Sequence, residues 1–565
     1  MTLALLAVTC TSQGGKANKN AVQAAPASAS SPSTTVGVRK GGTLNYAAGQ
    51  EPPGFNVNTS AAGMPATRAV MDQLWPSVFD VGPDFKVTLN KDLMVSAVLT
   101  KQSPQTVVLK IDPQASWSDG VPITADDFIY SWQRQRDPAH TTDSCTDPNC
   151  PTNGKPIDDY SDGTGYRNIE SVTGSDEGKT VTVVFSAPFA DWRLLWSNIV
   201  PAHMAQKVGW NSGFDSADPN VVVSGGPFKI QSYHKGSDLT LVPNDKYWAR
   251  QPNLDAIVFH FIPDPAQQVA ALAGSTADLI RLEPQLGLVS SVAAMKDVHS
   301  EITFGPRSLA VDFNVKTPGL DDLVVRKAIA TAIDRPSLLR LTVGQFTGAQ
   351  VDNNRIFVDK QPQYQDTSAG LYSRADLAKA KQMLEQDGYA LGSDGVYAKA
   401  GRRLSFRISA TAGDALGKQA ESVVQGQLAL AGVDVKIDNA HNLVPGTPAG
   451  KYDFDIGLFA TVHSPFPSDS NVQFSQVGSR NYGQSGNALL DEMLDLGSAE
   501  LDGDKQAADY NQADALIWQN MWTLPLFQEP TFLAVRSSFR NVHENVNPEG
   551  PFWNAQTWGL MPLTP

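Results

Sequence analysis

Cysteine is scarce, three residues in 565, which excludes a fold stapled mainly by disulfides. No stretch approaches the roughly 20 consecutive apolar residues that cross a bilayer, so a helical membrane-embedded body is excluded. Charged side chains are few, 18%, and one sign dominates: 44 basic groups against 58 acidic ones give 44 − 58 = −14. Nucleic-acid affinity comes mainly from basic groups meeting phosphates, so this surface is a poor partner for it. Enzyme signatures are also missing. There is no Gly-x-Ser-x-Gly elbow, no His-Glu-x-x-His and no phosphate-cradling Gly-rich loop ending in Lys-Ser/Thr. Histidines such as His203, His234, His260 and His463 are scattered, and Gly225-Gly226 reads as a turn at a strand edge. What is present is an ordinary apolar share, 41%, which rules out collagen-like, coiled-coil and wholly disordered chains. At about 100–200 residues per domain, the length calls for two or more domains.

The first ten residues, Met1-Thr-Leu-Ala-Leu-Leu-Ala-Val-Thr-Cys10, form a short apolar run ending in small residues and cysteine. This resembles the end of a bacterial lipoprotein signal, with Cys10 as the acylated residue. Residues 11–35 are rich in Ser, Ala, Gln, Gly, Pro and Thr and offer little to bury, so they read as a tether. Cys145 and Cys150 flank Thr-Asp-Pro-Asn, turn chemistry that brings them close. A local disulfide suits an extracellular chain, whereas a metal site needs more ligands than these and His140 provide.

The folded body is expected to start at Gly41-Gly-Thr-Leu-Asn-Tyr46, a strand stopped by Gln50-Glu-Pro-Pro-Gly54. Helical spacing follows over 65–79. Strands are expected at 106–111, 179–185, 225–230, 239–242 and 257–262. Between the first two of these, Thr124 is a helix N-cap with Asp127 at the capping-box distance, and Phe128, Ile129 and Trp132 form the buried stripe. Residues 137–167 read as a surface insertion. Helices over 264–273, 324–334, 375–387 and 417–431 then alternate with strands at 277–280, 309–314, 404–410 and 433–437, which implies a mixed or parallel sheet covered by helices. The end reads as helix over 488–522 and a returning strand over 525–535.

Gly41-Gly-Thr-Leu44, Trp117-Ser-Asp-Gly120 with Thr124-Ala-Asp-Asp-Phe128, Gly225-Gly-Pro-Phe228, Phe313-Asn314, Val325-Arg-Lys-Ala328 with Ala332-Ile-Asp-Arg335, and Trp522-Thr-Leu-Pro525 occur in this order. The set resembles the extracellular solute-binding proteins of family 5, the dipeptide/oligopeptide capture subunits of ABC importers, over about residues 40–562. The insertion and the tail with Trp553 and Trp558 resemble actinobacterial lipoprotein members. The resemblance implies an α/β, two-lobed periplasmic-binding-protein-like fold (class II, cluster C type) with an extra inserted subdomain. Lobe one would comprise 38–85, 186–305 and 523–565, the subdomain 86–185 with the Cys145–Cys150 loop, and lobe two 306–522, after a signal remnant and tether over 1–37. Hinge crossings near Ser308 and Trp522 would let the lobes close on a ligand.

The resemblance further implies no catalysis, no cofactor and no metal. It implies a monomer, lipid-anchored on the extracytoplasmic face of the cell membrane, with a short peptide and an ABC permease as partners. A regulatory lipoprotein of the same fold acting in cell-wall glycolipid metabolism is the alternative. Loops leaving strand ends at the lobe boundary supply the candidate ligand contacts Glu51, Phe55, Trp75, Trp196, Phe313, Asn314, Phe459, His463 and Asp469. Asp469 is the candidate for a peptide's terminal ammonium, with an Asx-turn or cap as its other reading. Trp75, Trp192 and Trp196 read either as stacking platforms or as core. Arg326 and Asp334 read as structural groups that cap or pair within their lobe.

Overall fold

The computed structural model describes residues 37–59, 62–136, 163–411, 413–439, 453–547 and 549–563. Cys10, the tether, His140 and the Cys145–Cys150 pair lie outside the described residues.

One ten-stranded mixed sheet runs through both lobes. At one end Thr43–Ala48 pairs in parallel with Ala256–Phe261, and the antiparallel strands Asp238–Pro243 and Phe228–His234 follow. At the other end Ser405–Ala410 lies parallel to both Asp434–Ile437 and Ile456–Val462. The halves are joined by two long antiparallel strands, Val298–Phe313 and Thr523–Arg536. Their register shifts between Phe304 and Ser308, where Gly305-Pro306 interrupts the ladder. Gly305 is required there: a Cβ would stand 2.3 Å from Val546 Cβ.

Two cores flank this connection. The first gathers Leu44, Trp75, Trp117, Phe128, Val183 and Trp558 among others. The second gathers Leu309, Ile329, Ile408, Val424, Leu458 and Leu524, and extends to Val269, Leu272 and Val292 on two helices that cover the sheet. Each large aliphatic side chain buried in this way contributes about 1.5–3 kcal/mol.

The region after residue 86 forms its own antiparallel sheet, in the order Met94–Gln102, Gln105–Ile111, Thr180–Phe185, Ile169–Ser175. Helix Ala125–Gln135 packs on it. The expected capping box is present, with the Thr124 N–H donating to Asp127 Oδ2 at 2.9 Å. The other Asp127 oxygen accepts from the Ala202 backbone N–H at 2.8 Å, which ties this subdomain to the chain returning from it. In the turn after Trp117, Gly120 has φ +93° and its N–H donates to the Trp117 carbonyl at 2.8 Å.

Three elements differ from the sequence expectation. The helix over 65–79 ends at Met71, because a tight turn at 72–76 carries Gln73 against Gly226, where a Cβ would lie 2.2 Å from the Gln73 carbonyl. The strand expected at 309–314 begins at Val298. The helix over 488–522 is two helices, Ala488–Ala499 and Gly503–Asn520, the second capped by Asp502. Asp334 caps Arg335–Thr342 by accepting the Ser337 N–H at 3.0 Å, and Arg326 donates to the Leu320, Asn520 and Met521 carbonyls.

Candidate ligand-binding site

Strand Ile456–Val462 delivers the segment His463-Ser-Pro-Phe-Pro-Ser-Asp469 to the boundary between the lobes. Pro465 and Pro467 prevent the strand from continuing, and a single 3-10 turn forms over Pro467–Ser470. The Ser468 N–H points into the first lobe and donates to Asp191 Oδ2 at 2.9 Å. Gln506 Nε2 donates to the other Asp191 oxygen at 3.0 Å, and the Ala190 N–H donates to the Ser498 carbonyl at 2.7 Å.

Beside this contact is a cavity of about 360 Å³. Ser464, Pro465, Phe466 and Asp469 line it from the second lobe. The facing wall comes from residues 68–92, 193–198, 225–227, 247–248 and the tail 549–556. Its volume lies in the lower part of the range of about 300–1,000 Å³ typical of small-ligand sites. A hollow along Ala488–Ala499 is lined by one helix face only and is open surface.

The facing wall is rich in carboxylates. Asp72 accepts from Asn198 Nδ2 at 2.8 Å, and burial raises its pKa to about 6 against the opposing pull of Arg68. Asp80 is raised to about 7 by loss of solvation and by the negative charges of Asp92 and Asp72. The Asp80 residue as a whole is exposed, so solvent screening offsets much of this rise. Glu549 is pushed up to about 8, mainly by burial and then by Asp72. Asp92 accepts the Tyr247 hydroxyl at 2.6 Å. Among the described residues, no group of three His, Cys, Asp or Glu side chains is placed to hold a metal ion.

Of the residues singled out from sequence, Asp469 lines this cavity. Glu51 accepts from the Tyr233 hydroxyl at 2.5 Å and the Gly236 N–H at 2.8 Å, which fixes the first loop to the hairpin behind it. Phe55, Trp75, Trp196 and Phe313 are core residues, 0–3% exposed. The Trp75 indole donates to the Val223 carbonyl at 3.1 Å and the Trp196 indole to the Phe128 carbonyl at 3.0 Å, so neither ring is free to stack on a ligand in this state. Trp192 is buried edge-on against Phe79. Asn314 donates to the Phe454 carbonyl at 2.9 Å. Phe459 packs on Phe454 and Tyr482. His463 is buried, its backbone N–H donating to the Pro306 carbonyl at 2.7 Å and its ring 3.5 Å from Asp352.

Sequence reasoning did not find Asp72, Asp80, Glu549 or Asp191. They are single carboxylates spread across the chain, and no local spacing announces that the fold assembles them. The candidates Trp192 and Trp196 came near: Arg193, Leu194 and Leu195 between them line the cavity.

Two lobes on a shared sheet, with a cavity between them, define a binding protein of the periplasmic type. The chain belongs to the bacterial extracellular solute-binding proteins, family 5, whose model matches residues 91–484. Such proteins bind solutes rather than transform them. The oligopeptide-binding protein OppA of Mycobacterium tuberculosis is 29% identical over 522 residues, 89% of this chain and 83% of that one. LpqW of the same organism, named a probable monoacyl phosphatidylinositol tetramannoside-binding protein, is 28% identical over 351 residues, 60% of this chain and 51% of that one. Among solved structures, the periplasmic EDTA-binding protein EppA superposes with a TM-score of 0.84 at 29% identity, covering 94% of this chain and 98% of that one.

Proposed function

We propose that this protein is the capture subunit of an ABC importer: it encloses a short peptide between its lobes by hinge closure and hands it unaltered to a membrane permease. The observation that carries the reading is the cavity lined by both lobes, with Asp469 on one wall and the cations Arg68 and Arg193 on the other. A zwitterion has the matching chemistry. Asp469 would receive the terminal ammonium and the arginines the terminal carboxylate. The name of the OppA relative supports a peptide over other solutes.

The same reading takes lobe one as 38–85, 186–305 and 523–565, the subdomain as 86–185 and lobe two as 306–522. It takes Cys10 as acylated, Cys145–Cys150 as a disulfide and the protein as a monomer held at the outer face of the cell membrane. Native mass spectrometry of the purified chain tests it. A co-purifying mass that fragments as a peptide is the expected result. The partial likeness to LpqW supports a second reading, a non-transport regulatory lipoprotein of the same fold acting in cell-wall glycolipid metabolism; a co-purifying glycolipid, with no peptide bound, would replace the first reading by the second.

A further inference from the structure

We propose that the first-lobe wall of the cavity is a subsite for a cationic side chain of the ligand, a lysine ammonium or an arginine guanidinium, received by Asp72, Asp80 and Glu549. The inference rests on the reading of this cavity as the ligand site.

The charge count is uneven. Asp72, Asp80, Asp92, Asp469 and Glu549 face Arg68, Lys91 and Arg193, five carboxylates against three cations. Arg68 offsets part of the charge on Asp72 and Glu549, yet the wall keeps an excess of carboxylates. Arg68 donates to Asn198 Oδ1 at 3.4 Å, and Arg193 lies over the Trp192 ring at 4.6 Å. Asp92 has its own donor in Tyr247.

The second observation is independent of charge. Asp72 Oδ2 and Glu549 Oε2 are buried acceptors with no hydrogen-bond donor, on the same wall. Buried polar atoms are nearly always paired, and an orphan carries its full desolvation cost. Trp553 Nε1 on that wall is a buried donor with no acceptor. The missing partner therefore brings several N–H donors to two carboxylates and one acceptor to an indole. An ammonium carries three donors and a guanidinium five. A peptide bearing such a side chain also carries the carbonyl that Trp553 lacks. A bare metal ion does not meet the requirement, since the carboxylates are not placed as a coordination group.

The titration behaviour agrees with the geometry. Burial, and for Glu549 also the neighbouring charges of Asp72 and Asp80, makes Asp72 and Glu549 hold protons to unusually high pH. A ligand cation restores their charge, so binding near neutral pH expels protons.

Isothermal titration calorimetry on the full chain tests this with the tripeptides Ala-Lys-Ala and Ala-norleucine-Ala, and with agmatine as a guanidinium that is no peptide. The expected result is that the lysine peptide binds at least about tenfold more tightly than its neutral isostere, a ratio that fits charge-assisted bonds. Asp80→Asn and Glu549→Gln should each shrink that ratio. Proton release should follow from titrations in two buffers of different ionisation enthalpy. Equal affinity for the two tripeptides overturns the subsite and leaves the peptide reading standing. Agmatine binding without any tripeptide binding supports the subsite and overturns the peptide reading. Binding of none of the three probes overturns both.

Discussion

The Asp191 carboxylate of the first lobe accepts the backbone N–H of Ser468 in the second at 2.9 Å. Asp191 is 7% exposed, and its other oxygen is held by Gln506. Burial raises its pKa, and the donated hydrogen bonds from the second lobe oppose that rise. In the proposed closure of the lobes over a ligand, this contact would favour the closed state.

Replacing this carboxylate should loosen the closed state. A hydrogen bond to a charged group contributes about 1.5–3 kcal/mol, roughly ten- to a hundredfold in an equilibrium. Asp191→Asn is expected to raise the dissociation constant of a bound peptide by about tenfold, mostly through faster release. Stopped-flow release measurements check this. Equal off-rates in variant and wild type would remove Asp191 from the closing mechanism.

The acidic wall also sets a pH dependence. Asp72 and Glu549 have folded pKa values pushed up to about 6 and 8, above their unfolded values. Glu283 behaves likewise, at about 7, raised by burial and by Glu529. A raised carboxylate pKa means that the folded state binds the proton more tightly, so its contribution is present below about pH 4 and is lost as pH climbs through the folded value. The melting temperature of the ligand-free protein should therefore fall between about pH 5 and pH 8.5. Glu549→Gln should flatten the upper part of that fall. Differential scanning calorimetry across this range reads both, and a flat or rising profile contradicts the assignment.

In the second lobe, Arg355 and Asp514 form an ion pair of 3.3 Å with side chains 3% and 0% exposed. Arg355 also donates to the Thr523 carbonyl and lies 4.0 Å from the centre of the Trp518 ring. Removing one member leaves a charge buried without its counter-ion. Asp514→Ala is expected to cost about 3–5 kcal/mol in urea unfolding. A loss below about 1 kcal/mol would show that the site relaxes or admits water.

Trp75 separates packing from binding. It is fully buried against Phe214, with its indole hydrogen-bonded to Val223. Trp75→Phe should lower stability by about 1–3 kcal/mol through the lost volume and the unpaired carbonyl. Peptide affinity should stay within about twofold. A large affinity loss at unchanged stability would return this ring to the ligand site.

Much of the fold was legible because local chemistry and tertiary structure agree. Thr124 with Asp127 announced a helix start, and Gly388, found at φ +87°, announced a helix end. The alternating strands near 106–111 and 257–262 lie within a residue or two of their expected places. The missed part of Val298–Phe313 has a physical cause: Gly305-Pro306 carries a turn signature, yet the long partner Thr523–Arg536 holds the chain extended through it. The site was less legible. Asp469 could be picked out because its loop follows a strand end and because the family resemblance implies an acidic residue facing the cleft there. Phe55, Trp75 and Trp196 share the composition of a binding wall, and only burial distinguishes them from one. Asp72 and Glu549 meet through packing alone.

Small-angle X-ray scattering during a titration of the full chain with a tripeptide pool tests the closure of two lobes over a solute most directly. The radius of gyration should fall on binding, and ligand-free Asp191→Asn should be larger than the ligand-free wild type. An identical radius with and without saturating peptide, once binding has been confirmed by calorimetry, would contradict the hinge mechanism.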